Sequence, residues 1–127
     1  MHRAFLKNKH KLLMRAILGW TALIMVLSLM PRMSSLMNPQ DENGLNQGPL
    51  AHLSAYSVLA AMLTAYMIIK GKRHPAIRAC LLAGSYGALV EFAQYFTPTR
   101  SCDPYDILIN LAAAALGVTF FKLAISR

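Results

Sequence analysis

A handful of polar side chains sits inside otherwise apolar stretches of this chain, at spacings of three and four residues. His52 and Tyr56 are four apart, Glu91 and Gln94 three apart with Tyr95 beside them, and Asp106 and Asn110 four apart. On a helix each set shares one face. Together with Arg100 they offer two carboxylates, an imidazole, two amides, two phenols and a guanidinium. Such a set can bind an ionic head group, with the guanidinium on phosphate or carboxylate. It can also move protons, with His52 as base and Glu91 as acid.

The elements that carry these residues are membrane spans. Of the 127 residues 56% are hydrophobic and 14% charged, and mean hydropathy is +0.41. An average soluble domain is about 25% charged, so a water-soluble enzyme, a disordered chain and a secreted disulfide scaffold are excluded. A span needs about 20 apolar residues. Four stretches qualify, at about 12–30, 50–69, 76–96 and 105–125. Prolines 31, 49, 75, 98 and 104 mark their ends, where proline stops a helix or opens one. The fold expected is all-α: a four-helix transmembrane bundle in a single domain over residues 1–127.

The basic residues orient it. Of 13 Lys and Arg residues only Arg32 and Arg100 fall on one side, while all five acidic residues lie in that same half. The positive-inside rule then places both termini and the 70–75 connection in the cytoplasm, in a multi-pass protein of the cell membrane. This accounts for the net charge of +8 without nucleic acid, for which the chain has neither zinc-finger spacing nor a basic stripe with interleaved aromatics. The basic N-terminus and first apolar run lack a small-x-small cleavage site and read as an uncleaved helix. Cys80 and Cys102 are held about 25–30 Å apart by the third helix, which excludes a disulfide between them and a two-cysteine metal site.

Depth follows from counting away from the 100–101 turn. Equal steps pair Glu91 with Asn110 and Gln94 with Asp106. His52, near the outer start of the second span, joins the shallow layer, and Tyr56 the deep one. The expectation is one outward-facing polar pocket formed by His52, Tyr56, Glu91, Gln94, Arg100, Asp106 and Asn110. Polar residues in bundles also act as interhelical glue, and each alone fits that role. Ser54, Ser57 and Thr64 are expected to bond within their own helix, and Trp20 to pack or meet lipid. Gly84 with Ala88, and Ala113 with Gly117, are small pairs that let helices approach. The 33–48 loop, rich in Asn, Gln, Ser and Gly, reads as a solvated cover.

The pattern resembles the VanZ-like family over about residues 15–120. Leu50-Ala51-His52-Leu53-Ser54-Ala55-Tyr56 is similar to its H-x-x-x-Y opening of the second span. The run from Glu91 to Arg100 is similar to E-x-x-Q-x-x-x-P-x-R, and Asp106 to Asn110, followed by Gly117, to D-x-x-x-N. Gly48-Pro49 stands where members often carry Asp-Lys, and Ala113 where a glycine is frequent. The resemblance implies a small integral membrane protein and, for some members, lower susceptibility to the glycopeptide teicoplanin. It supplies no reaction.

Two classes of function follow. In the first the pocket binds or protects a lipid head group, a lipid-linked wall precursor or a partner helix, with membrane lipids as partners. In the second the protein is an intramembrane enzyme acting on a lipid head group. His52 would then be a general base, or a metal ligand with Asp106 and Glu91. No H-x-x-x-H or H-E-x-x-H spacing is present, so neither a metal nor another cofactor is expected. A transporter would require a homo-oligomer, because four short helices leave little room for a path.

Overall fold

The computed structural model describes residues 2–30, 49–97 and 102–126, with side chains from Asn8 onward. All four expected spans are helices: α1 (His2–Leu29), α2 (Pro49–Ile69), α3 (Pro75–Gln94) and α4 (Pro104–Ile125). Each contains a segment of at least 20 residues apolar enough to cross a membrane. The described residues contain no strand.

The ends follow local chemistry. Pro49, Pro75 and Pro104 each stand at the first helical position, where the missing N–H costs nothing and φ is already helical. Asp103 caps α4 by accepting the Tyr105 amide at 2.9 Å. Gly71, at φ 61°, ends α2. Its amide reaches the Ile68 carbonyl and that of Lys72 reaches Met67, a paired closure that uses glycine's access to the left-handed region. α3 ends at Gln94, two residues short of the expected boundary, and Tyr95 and Phe96 form the turn that follows. α1 begins well before the apolar stretch. Its first residues are basic, and nothing in residues 2–11 breaks a helix.

Cross-helix contacts give the directions. Thr21 and Ser28 of α1 meet Tyr86 and Gln94 of α3 in the same order, so these two run parallel. His52 and Ser57 of α2 meet Asn110 and Ala113 of α4, again in the same order. The chain therefore runs up and down in alternation. α2, α3 and α4 pack mutually, whereas among the described residues α1 touches α2 and α3 but not α4.

Packing has the pattern expected in lipid, where small residues line interfaces and long apolar side chains face out. Ala60, Ala79, Ala83, Ala113 and Ala114 are fully buried, while Leu81, Leu108, Leu123 and Phe120 are exposed. The closest seam joins α2 and α4. A Cβ at Gly117 would overlap the Ser57 carbonyl, and Ser57 donates its hydroxyl across that seam to the Ala113 carbonyl at 2.8 Å. This corrects the expectation that Ser57 bonds within its own helix; Ser54 and Thr64 do, to Ala51 and Ala60. Exposed Phe92, Tyr95, Phe96 and Tyr105 ring the end of the bundle near the polar residues, the place where aromatic side chains mark a membrane boundary.

Candidate functional site

His52 is the hub of the buried polar groups. It lies in the first turn of α2 and is 9% exposed. Its Nδ1 is 2.9 Å from Asn110 Oδ1. An amide oxygen only accepts, so Nδ1 donates to it, and a neutral imidazole then has its lone pair on Nε2. Nε2 lies 3.8 Å from Asp106 Oδ2, and Nδ1 lies 3.9 Å from Glu91 Oε1. Three helices therefore place an imidazole, two carboxylates and an amide within one small volume. The Tyr56 ring lies nearly parallel to that of His52, at an interplanar angle of 11° and 6.3 Å between centroids. Tyr86 of α3 lies beyond it.

The cluster is closely framed. A Cβ on Gly87 would stand 2.8 Å from Asn110 Cβ, so only glycine lets α3 approach the amide that holds the imidazole. Glu91 is completely buried, and neither of its carboxylate oxygens finds a hydrogen-bond donor at proper geometry among the described residues. The Asp103 backbone amide lies near without closing that bond. The Tyr56 hydroxyl and Asn110 Nδ2 are buried and unpartnered in the same sense. Asp106, in the first turn of α4, is partly exposed and forms the open side.

One expected member is turned away from this arrangement. Gln94 is buried, but its amide donates to the Ser28 carbonyl of α1 at 3.1 Å and not to Asp106. Three residues on from Glu91, it is turned about 60° around the helix, onto the flank where α1 packs. Arg100 lies outside the described residues, as does the 33–48 loop. Tyr95 is exposed and takes no part. Gly87 is a residue that the sequence reading does not single out. Its signal is positional: it lies one turn before Glu91, on the same face.

A groove of about 280 Å³ adjoins the cluster. It runs between α1 and α2, lined chiefly by Trp20, Leu23, Ile24, Leu27 and Val58, with His52 and Tyr56 at its polar end. Trp20 does more than pack, since its indole N–H donates to the Ala55 carbonyl at 3.0 Å and holds one wall.

The family model described as VanZ/LLP1 matches residues 11–125. The chain belongs to the VanZ/LLP1 family. Neither a curated protein nor a solved structure matches it. The three segments that carry the VanZ-like resemblance are the ones the fold brings to His52: the opening of α2, the end of α3 and the opening of α4. The VanZ/LLP1 match takes in the second half of α1 as well, which supplies one wall of the groove.

Proposed function

We propose that this membrane protein binds a lipid through its head group at the His52–Glu91–Asp106–Asn110 cluster, with an acyl or polyprenyl chain in the groove between α1 and α2. The observation that carries the reading is continuity. A largely apolar groove shares His52 and Tyr56 with a cluster whose buried polar atoms have bonding capacity left over. Pockets for small molecules begin at about 300 Å³ and combine apolar walls with a few polar anchors. Interhelical glue would need the polar groups but not the slot. The charge bias supports an outward-facing site, with both termini inside, in the cell membrane. A lipid-linked wall precursor is the ligand that would connect this binding to glycopeptide tolerance, by hiding or altering the drug's surface target.

The test is mass spectrometry of lipid retained by the detergent-purified chain, compared with a Leu23→Trp variant that fills the groove. The expected result is one lipid class near one per chain in the wild type, and at least a fivefold loss in the variant. Retention of the same mixed lipids by both would refute the reading.

The approach of His52 Nε2 to Asp106 favours a second reading, acid–base chemistry on the head group. An uncut lipid accumulating in a deletion strain would support it, whereas an intact co-purified lipid with an unchanged lipid profile supports binding alone.

A further inference from the structure

We propose that His52, Glu91 and Asp106 form a binding site for one divalent transition-metal cation, zinc or manganese. The site is the same cluster at which lipid binding is proposed, and its test uses no lipid, so either reading can fail alone.

Geometry is the first argument. Each residue offers one ligand atom, and the three atoms lie within 4.8 Å of one another. Tetrahedral metal–ligand bonds of about 2.0–2.4 Å place ligand atoms about 3.3–3.9 Å apart, so an ion draws the three side chains slightly together from the separations seen here. The ligands come from α2, α3 and α4, whose packing fixes their separation.

Unsatisfied valence is the second. Glu91 is 0% exposed and turns both carboxylate oxygens into the cluster without a hydrogen bond among the described residues. A cation satisfies the oxygens directly. Charge agrees, because two carboxylates and a neutral imidazole sum to the charge that one divalent ion cancels. Removing that charge matters for a carboxylate shut away from solvent inside a membrane bundle.

The third argument is the imidazole. Metal-bound histidines are held by a hydrogen bond from their other ring nitrogen. Here Asn110 accepts from Nδ1 at 2.9 Å, and in the neutral ring that metal binding requires, the lone pair is then on Nε2, on the side of Asp106. The donor set of one nitrogen and two carboxylates suits zinc or manganese better than the all-oxygen preference of magnesium or calcium. Three protein ligands leave at least one position for water or for an oxygen of a bound phosphate. The ligands are far apart in sequence, at 52, 91 and 106, so no short motif announces them.

The experiment uses the full-length chain without a histidine tag, purified in detergent and stripped with chelator. Zinc and manganese are added separately, excess is removed by desalting, and metal per chain is measured by plasma mass spectrometry. Wild type is expected to retain about one ion of one of the two metals. Glu91→Gln and His52→Gln should retain at least tenfold less, while Cys102→Ser should match wild type. Gel-filtration profile and helical circular dichroism report folding. If Glu91→Gln misfolds, Asp106→Asn, at a partly exposed first-turn position, decides the question. Cobalt loading adds a second readout, a visible absorption band present in wild type and missing from the variant. The proposal is overturned if wild type retains no more metal than Glu91→Gln, or if a folded Asp106→Asn retains as much as wild type.

Discussion

Replacing Gly117 by alanine should cost this protein much of its stability, and the same replacement at Gly84 should cost almost nothing. A Cβ on Gly117 would lie 2.7 Å from both Cα and the carbonyl carbon of Ser57, and closer still to its oxygen. All three atoms are backbone and cannot rotate away. Ordinary carbon contacts are about 3.5–4.0 Å, so α2 and α4 must separate by about 1 Å. The Ser57–Ala113 hydrogen bond, 2.8 Å long, would then stretch to about 3.8 Å and be lost. Overpacking costs about 1–3 kcal/mol, and a membrane interhelical hydrogen bond about 0.6 kcal/mol. The expected loss is therefore about 2–3.5 kcal/mol. At Gly84 the nearest atom is the terminal Cδ1 of Leu111, at 2.8 Å, on a side chain 46% exposed. That atom can swing outward, and alanine gains up to about 1 kcal/mol of helix propensity over glycine. Equilibrium unfolding in mixed micelles, followed by helical circular dichroism, measures both variants. A Gly117→Ala protein within about 0.5 kcal/mol of wild type, the scatter of an indifferent substitution, would refute the α2–α4 seam described here. So would equal losses at the two positions.

Two further outcomes test the orientation and the α1 contact. An impermeant thiol reagent added to intact cells should label Cys102 and spare Cys80, because the basic residues gather on the Cys80 side; the reverse pattern would invert the protein. Gln94→Leu should loosen α1 by about 0.6–2 kcal/mol, seen in the same unfolding assay, and leave metal retention unchanged. A parallel loss of metal would instead return Gln94 to the His52 cluster.

Hydropathy and prolines made the four helices legible, because a span is a property of composition over 20 residues and needs no knowledge of neighbours. Depth was legible only to within a turn: counting pairs Glu91 with Asn110, whereas Gly87 meets Asn110 and His52 of the expected shallow layer bonds to Asn110 of the deep one. Facing was not legible. Counting pairs Gln94 with Asp106, yet the helix turn between Glu91 and Gln94 aims the amide at Ser28 on α1. No sequence pattern gives the docking side of α1, whose 18–30 stretch is apolar almost all round. The Gly87–Asn110 approach was equally hidden. Small residues are frequent throughout these spans, and only the fold tells which of them meet a neighbour's side chain.

The accounting of polar groups separates glue from site within the same bundle. Glue must close its bonds, because hydrocarbon offers no water to complete them. Ser57, Thr64, Trp20, Tyr86 and Gln94 all do so, each on a backbone carbonyl of its own or a neighbouring helix. The buried atoms left open among the described residues belong to Tyr56, Glu91 and Asn110, and all three surround His52. Random imperfection would scatter such atoms along the helices. Their concentration at one histidine, beside a groove and next to a partly exposed carboxylate, fits bonds held in reserve for something that arrives from outside the chain. A cation on Glu91 and Asp106, and a lipid head group above it, would between them use the capacity that the helices leave unspent.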